Sequence, residues 1–346
     1  MKTLLRLAIH RMEFTSSAEK RRIEEAIADV PFFQSLSLDD VSMIIGRSLR
    51  TGRFDPDTLL AHAEEDLRVL ERRAARIVFY DDAAYPRLLG EIYDPPYLLF
   101  VVGSLQDDRP RVGVVGTRSP SVDGASAAGR LGRDLAEAGV CVVSGLARGI
   151  DTLAHRGAVS GGGAHLAVLG SGIDYVYPAQ NKSLAQQILD QGGAIVSEYP
   201  PGVPPTRYHF PERNRIISGT SEAVVVVQAP ARSGALYTAD FALDQGRELM
   251  VHAEGMRGTV GAGTAHLAEE GAPVVTDGAE VLELMGVTVP TTRRRAAGRR
   301  FVPVVQAAAA GRQLGLELIA EMGAGESDRE GGAPRGDERT EREHSG

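Results

Sequence analysis

The stretch VVSGLARGIDTLAH, residues 142–155, decides the fold of this 346-residue chain. An apolar run ends at Ser144, a short turn carries Gly145, Arg148 and Gly149, and a helix is predicted to begin at Ile150. A glycine-containing turn between a buried strand and a helix is typical of parallel α/β sheets, which bind ligands at the carboxyl ends of their strands. Backbone N–H groups at such turns also favour anions. We therefore expect the functional residues at this edge of the sheet.

Similar apolar runs lie on both sides of this stretch. They cover residues 112–115, 140–143, 166–169, 194–196, 223–227, 249–251 and 274–275. The runs are continuously apolar and do not alternate with polar residues, which predicts strands buried on both faces of a parallel sheet. Helical stretches between them predict right-handed β-α-β units. The pattern therefore indicates an α/β fold with a doubly wound, mostly parallel sheet.

The flanking regions predict two further parts. Residues 1–75 read as a small N-terminal helical domain, with capping signals at Ser16 to Glu19, at Ser37 to Asp40 and at Asp55 before a proline. Residues 76–287 form the sheet domain, which begins with two short apolar runs at 77–80 and 97–102. Residues 288–346 are expected to form an arginine-rich linker, a possible helix at 304–322, and a largely disordered tail from residue 323.

Composition limits the class of protein. The formal net charge of −8 argues against a basic surface over the whole chain, although it allows a local basic groove. The single cysteine, Cys141, is expected to be inert core in a reducing compartment. The N-terminal residues, MKTLLRLAIHRMEF, are too short an apolar run and too charged for a signal peptide or a membrane span. We predict a cytoplasmic protein that has no contact with a membrane.

Four predicted strand-to-helix turns carry glycine. The first holds Thr117 and Arg118, the second Gly145, Arg148 and Gly149, the third leads to Asn181 and Lys182, and the fourth is SGA at residues 233–235. None matches G-x-G-x-x-G or the P-loop pattern, which disfavours a dinucleotide dehydrogenase or a P-loop enzyme. Any single turn can be explained by tight backbone geometry. Four at one sheet edge, two of them with arginine, favour phosphate binding.

The most unusual segment is PPTRYHFPERNRIISG at residues 204–219, which interleaves aromatic rings with the cations Arg207, Arg213 and Arg215. Single-stranded nucleic acid is bound by such surfaces, because bases stack on rings while cations follow the phosphates. A helix from Pro211 would place Arg213 on the side of Ile216 and Ile217 and turn Arg215 elsewhere. The alternative for either arginine is a structural ion pair with a carboxylate such as Glu198.

Catalysis has little support in the sequence. His155 follows Asp151 at helical spacing, but no serine or cysteine nucleophile is placed beside them. No Cys, His or Asp grouping has metal-ligand spacing. We therefore predict no enzymatic activity, no catalytic residue, no metal and no cofactor.

These motifs together resemble the DNA-processing protein A family (DprA, also called Smf). The resemblance runs from Tyr85 to Ala272 through YPRLL, DPPYLL, VGVVGTR, VVSGLARGIDTLAH, AVLGSGIDYVYPAQN, GGAIVSEYPPG, FPERNRIISG and SGALYTADFALDQGR. It implies an extended Rossmann-like fold and no established catalysis. It also implies binding and protection of single-stranded DNA during natural transformation, and delivery of that strand to the RecA recombinase. By resemblance, the DNA pocket comprises Arg118, Lys182, Arg207, Phe210, Arg213 and Asn214.

Departures from the family pattern affect its other surfaces. The segment from Thr264 to Glu270 resembles the family's dimer face and predicts a homodimer through it. Ala265 and Ala268 replace an asparagine and a large aliphatic residue there. A face for RecA is expected around residues 239–245 and 264–270, away from the pocket. Many family members end in a winged helix, which the polar C-terminal residues of this chain are not expected to form.

A rival function comes from nucleotide phosphoribohydrolases with related folds. They carry P-G-G-x-G-T-x-x-E, and the nearest stretch here, from Arg232 to Ala239, lacks the second glycine pair and the glutamate. A non-catalytic nucleotide-binding module is a further alternative.

Overall fold

The computed structural model describes residues 2–49, 54–105 and 108–287. The predicted arginine-rich linker, the helix at 304–322 and the disordered tail lie outside the described residues. Five helices come first, in agreement with the helical prediction for this part. They are α1 (Lys2–His10), α2 (Ser17–Ala26), α3 (Val30–Ser35), α4 (Leu38–Ile45) and α5 (Pro56–Arg72). Capping boxes at Ser16 and Ser37 begin α2 and α4, and Asp55 caps α5.

A nine-stranded sheet forms the centre of the molecule, and each predicted apolar run is one of its strands. They are β1 (Arg76–Phe79), β2 (Leu98–Gly103), β3 (Arg111–Gly116), β4 (Cys141–Ser144), β5 (His165–Leu169), β6 (Ala194–Ser197), β7 (Ala223–Gln228), β8 (Glu248–His252) and β9 (Val274–Val275). Their spatial order is β1-β2-β6-β5-β4-β3-β7-β8-β9. Strands β3 to β9 pair in parallel, whereas β1 and β2 are antiparallel and extend the sheet beyond β6. The mostly parallel, doubly wound α/β fold is confirmed.

Helices cover both faces of the sheet. The later helices are α6 (Arg87–Gly90), α7 (Val122–Glu137), α8 (Ile150–Gly161), α9 (Lys182–Asp190), α10 (His209–Gly219), α11 (Leu236–Asp244), α12 (Ala262–Glu269) and α13 (Gly278–Leu284). The apolar residues of α7 and α8 pack on one face and those of α10, α11 and α12 on the other. From β3 the chain adds β4, β5 and β6 toward one edge of the sheet, and from β7 it adds β8 and β9 toward the other edge. The order of the strands therefore reverses between the neighbours β3 and β7. A crevice at the carboxyl ends of these two strands is therefore the expected ligand position.

The N-terminal helices share a core with the sheet. A single apolar cluster joins Leu7 and Ile9 of α1 to three aromatic residues of the sheet. They are Phe79 in β1, Tyr97 immediately before β2, and Phe100 in β2. The guanidinium carbon of Arg6 lies 3.7 Å from the ring centroid of Phe79. The predicted boundary near residue 75 falls between α5 and β1, and a continuous apolar interface crosses it.

Candidate nucleic-acid interface

A cleft of about 420 Å³ lies at the carboxyl ends of β3 and β7. It is bounded by the turn after β3, the turn after β7 and the beginning of α10, and is termed the strand-end cleft below. Six of the residues predicted from sequence meet in its wall: Thr117, Arg118, Arg207, Phe210, Arg213 and Asn214. The switch point of the sheet thus brings together residues that are almost one hundred positions apart in the chain.

An exposed cation and an aromatic ring form the mouth of the strand-end cleft. The guanidinium carbon of Arg118 lies 4.6 Å from the ring centroid of Phe210, within the range of a cation–π contact. The ring of Tyr177 is 5.9 Å from the Phe210 ring and tilted by 45°. Arg118 has no hydrogen bond or ion pair with the described residues. This pair therefore offers a flat apolar surface and a cation that can turn toward a phosphate.

A buried arginine, Arg213, forms the floor of the strand-end cleft. Arg213 is only 3% exposed, and its Nη1 donates a hydrogen bond of 2.7 Å to the carbonyl of Val168. Its Nε has no hydrogen-bond partner in the described part of the chain. Burial lowers the pKa of Arg213 to about 10, and the nearby Asp151 carboxylate opposes that shift. The guanidinium is therefore charged at neutral pH, and one of its N–H groups is held by Val168.

Asp151 was not among the residues predicted for this site, yet it lines the strand-end cleft. It is buried and accepts a hydrogen bond of 3.1 Å from the backbone N–H of Gly145. Burial raises the pKa of Asp151, and the charge of Arg213 acts in the opposite direction. An acidic residue in the first turn of a helix is explained by the helix dipole alone, so the sequence contained no signal for its charge interaction with this arginine.

Arg207 and Asn214 lie at the sides of the strand-end cleft. Arg207 is exposed, with its guanidinium carbon 4.7 Å from the ring centroid of Tyr208 and a hydrogen bond to the hydroxyl of that tyrosine. The amide of Asn214 donates a hydrogen bond of 3.2 Å to the carbonyl of Gly234. Asn214 thus holds α10 to the turn after β7, which contributes Ser233 and Gly234 to the cleft.

The remaining predicted site residues lie outside the wall. Gly145 packs under Arg213, since a Cβ on this glycine would lie 1.6 Å from Nη1. Gly149 has a φ of +78°, and a Cβ there would lie 2.3 Å from the carbonyl oxygen of Thr117. Both glycines therefore permit close packing of the turns beneath the cleft.

The other three predicted site residues are Arg148 in the second turn and Asn181 and Lys182 after the third turn. The buried amide of Asn181 donates hydrogen bonds to the carbonyl of Leu146 at 2.8 Å and to the Thr152 hydroxyl at 2.7 Å. It thereby ties the third turn to the second. Lys182 is half-buried at the start of α9, and Arg148 is exposed. None of these three lines the cleft.

The two arginines of α10 have separate roles, as the helical spacing predicted. The helix begins at His209, two residues before the predicted start. Arg213 is buried in the same helix as Ile216 and Ile217, whereas Arg215 donates to both carboxylate oxygens of Glu198 at 2.7 and 2.8 Å. The predicted alternative of an ion pair with Glu198 is confirmed for Arg215.

The candidate acid–base group does not reach the cleft. His155 is buried, with its ring 5.9 Å from that of His165, and burial lowers the pKa of His155 to about 3. It is therefore uncharged at neutral pH and too weak a base to accept a proton there. The described residues hold no group of three or more His, Cys, Asp or Glu side chains that could bind a metal ion. None of the helices in the described ranges is long and apolar enough to cross a membrane.

The charge of the strand-end cleft differs from that of the whole chain. Three arginines and one carboxylate line it, which gives a net charge of +2, whereas the formal net charge of the chain is −8. Cations placed beside an accessible aromatic ring can hold a phosphate and stack a base at once. The arrangement fits a flexible polyanion with flat, unpaired bases.

Comparison with known proteins adds independent findings. The family model of DNA recombination-mediator protein A matches residues 76–286. DNA processing protein DprA of Streptococcus pneumoniae is 43% identical over 202 residues, which cover 58% of this chain and 71% of that protein. Protein Smf of Escherichia coli is 43% identical over 264 residues, which cover 76% of this chain and 69% of that protein.

Solved structures agree with these matches. The X-ray structure of DprA from Streptococcus pneumoniae superposes with a TM-score of 0.65 and 34% identity, covering 82% of this chain and 96% of the other. DNA processing protein A from Helicobacter pylori, whose structure addresses a single-stranded DNA binding mode, gives a TM-score of 0.55 and 28% identity. That match covers 61% of this chain and 95% of the other.

Proposed function

The chain belongs to the DNA recombination-mediator protein A family, and from this premise we propose that it binds single-stranded DNA in the strand-end cleft without catalysing a reaction on it. One observation carries the proposal: the cation Arg118 lies against the ring of Phe210 at the mouth of a cleft floored by the buried Arg213. A base stacks on the ring while the arginines hold the flanking phosphates. The Helicobacter pylori relative, whose structure addresses a single-stranded DNA binding mode, supports single-stranded DNA as the ligand.

Binding to unpaired bases distinguishes this function from general DNA binding. Fluorescence anisotropy with a labelled oligonucleotide and with its duplex should give clearly tighter binding to the single strand, because stacking on Phe210 needs an unpaired base. Affinity should fall as salt concentration rises, because phosphate contacts release counterions. Equal affinity for both forms would contradict the stacking model. Hydrolysis of a nucleoside monophosphate would instead support the phosphoribohydrolase alternative.

We further propose that the bound strand is protected and passed to RecA in the cytoplasm during natural transformation. DNA binding occupies the strand-end cleft, so delivery requires a separate surface for a protein partner. Exposed Tyr237 and Leu243 on α11 supply apolar groups for such a surface. The first turn of α11 is not remote from the DNA, since Ala235 and Thr238 line the cleft. The predicted partner face, residues 239–245 and 264–270, begins after these two residues and includes none of the residues that line the cleft.

Strand exchange by RecA on DNA precoated with single-strand-binding protein tests this step. The wild type should stimulate exchange, Phe210→Ala should fail because it binds DNA poorly, and Leu243→Glu should bind DNA normally yet stimulate less. Tight DNA binding by the wild type without stimulation would leave a protecting role and contradict RecA loading.

A homodimer through the segment from Thr264 to Glu270 is part of the same proposal. In α12, Thr264 and Leu267 are buried within the chain, whereas His266, Glu269 and Glu270 are exposed. The exposed side of this helix is thus mainly polar, which favours a weak dimer. Sedimentation equilibrium should show a concentration-dependent dimer that Ala268→Glu weakens.

A further inference from the structure

A second cavity, of about 520 Å³, lies between the N-terminal helices and the segment that carries Arg207 and Phe210. It is termed the N-terminal cavity. Its wall includes His10 at the end of α1, Lys20 in α2 and Arg215 in α10. Thr206 and His209 line this cavity, whereas Arg207 and Phe210 line the strand-end cleft. One short segment of chain therefore separates the two.

The N-terminal cavity contains an acceptor without a partner. His10 is 5% exposed, and its Nε2 lies 2.8 Å from the backbone carbonyl oxygen of Glu198. A carbonyl only accepts, so Nε2 carries the proton and donates. Burial lowers the pKa of His10 well below its usual range, and the ring is neutral with Nδ1 as an acceptor. This Nδ1 has no hydrogen-bond partner among the described residues.

Two cationic donors lie in the same wall. Nη2 of Arg215 pairs with Glu198 and with Asp94, at 2.7 and 3.6 Å, but its buried Nη1 has no hydrogen-bond partner within the described ranges. The half-buried ammonium of Lys20 makes no hydrogen bond or ion pair with the part of the chain that the structure describes. Buried polar groups are normally hydrogen-bonded, so the unpartnered Nδ1 of His10 and Nη1 of Arg215 call for a polar occupant, beside which the half-buried Lys20 is a further donor.

The charges of the cavity favour a neutral occupant. The two cations Lys20 and Arg215 are balanced by the carboxylates Glu198 and Asp94 in the same wall. Arg11 is neutralised by its ion pair with Asp66. The exposed Glu13 and Glu212 add negative charge at the rim, which repels a phosphate. A flat molecule with a carbonyl beside an N–H satisfies the donors and the acceptor at once.

We propose that the N-terminal cavity is a nucleobase subsite for a lactam base, thymine or guanine, from the strand whose neighbouring base stacks on Phe210. The base carbonyl accepts from Lys20 and from Nη1 of Arg215, and the ring N–H donates to Nδ1 of His10. The strand passes over the exposed Arg207 and Tyr208 of the dividing segment, and Arg207 holds the phosphate between the two bases. This inference rests on the proposed single-stranded DNA binding and names a second contact for the same strand.

A series of oligothymidylates of increasing length tests the subsite by fluorescence anisotropy. Lys20→Met removes the charge at nearly constant shape. It should weaken binding of long oligothymidylates about tenfold, because a hydrogen bond to a charged group is lost. The shortest oligothymidylate that binds should lose less than twofold, since it occupies Phe210 alone. Oligodeoxyadenylates should be little affected, because adenine has no carbonyl.

Two further variants make the test specific. His10→Phe keeps a ring of similar size and removes the Nδ1 acceptor together with the donor to Glu198, so it should reproduce the length-dependent loss. Lys2→Met, on the exposed surface of α1, is the matched control and should bind like the wild type.

Each contrary result has a distinct meaning. An equal loss at every length, or no loss with Lys20→Met, would overturn the subsite and leave the proposed function standing. Competition by free thymidine without a length effect would assign the cavity to a free nucleoside and likewise overturn the strand subsite. Failure of the wild type to bind any oligonucleotide would overturn the proposed function and the subsite with it.

Discussion

Replacement of Arg118 by alanine tests whether this side chain contacts DNA or stabilises the fold. The side chain is exposed, its guanidinium lies over the ring of Phe210, and its charge lowers the pKa of both Asp151 and Arg213, which favours charged Asp151 and disfavours charged Arg213. A cation–π contact at an exposed site contributes about 0.5–1 kcal/mol to stability. A change of about 1 kcal/mol shifts the melting temperature of a 150- to 250-residue domain by roughly 2–4 °C, so Arg118→Ala should lower it by no more than that.

The expected loss of DNA affinity is larger. A hydrogen bond to a charged group is worth about 1.5–3 kcal/mol, and the exposure of Arg118 places it at the lower end. We therefore expect about tenfold weaker binding. Because one phosphate contact is lost, the slope of log K against log salt should decrease in magnitude by about 0.7. A phosphate contact does not read bases, so strands of different sequence should be affected alike.

The assay is fluorescence anisotropy at several salt concentrations with a homopolymer and a mixed-sequence strand, beside a thermal melt without DNA. Arg68→Ala is the matched control, since Arg68 is 60% exposed on α5 and pairs with Glu64 and Glu65. The control should leave DNA binding unchanged. A melting temperature lowered by well over 4 °C, or an unchanged salt slope with Arg118→Ala, would refute the assignment of this residue to phosphate.

Three other changes have defined outcomes. Phe210→Ala should weaken single-stranded DNA binding by about 1–3 kcal/mol with little change in the salt slope, and Phe210→Tyr should restore most of it in the same anisotropy assay. Gly145→Ala should lower both melting temperature and affinity, because the new Cβ would lie 1.6 Å from Nη1 of Arg213. Gly129→Ala, inside α7 with nothing within 4 Å of the added Cβ, should leave affinity unchanged and raise the melting temperature slightly, because alanine favours a helix over glycine. The pKa of His155 is about 3 in the folded state, below its ordinary value of 6.5, so its stabilisation is complete above pH 6.5 and is lost as pH falls towards 3. Urea unfolding should show a loss of about 2 kcal/mol from this residue between pH 8 and pH 5, which His155→Leu should remove; an unchanged pH dependence would contradict the buried, neutral histidine.

The sequence predicted the strands well because buried parallel strands are continuously apolar. It did not predict that β1 and β2 join the same sheet in antiparallel orientation, since a short apolar run has no direction of pairing. Helical periodicity, which is a local property, predicted that Arg213 and Arg215 lie on different sides of α10. By contrast, the inward contacts of Asn181 and Gly149 and the position of Asp151 depend on how separate turns pack against each other. No local pattern records such contacts.

The continuous apolar interface between the N-terminal helices and the sheet has a consequence for how the chain unfolds. Phe79, Tyr97 and Phe100 are covered by α1 and its neighbours, and the guanidinium of Arg6 lies over the rings of Phe79 and Tyr97. If either the N-terminal helices or the sheet unfolded, the apolar surface of the other would be exposed to water. Both should therefore unfold in one cooperative transition with a single heat-absorption peak. A fragment that starts at residue 76 would leave this apolar face bare and would self-associate. The five helices are therefore a permanent cover for one end of the sheet.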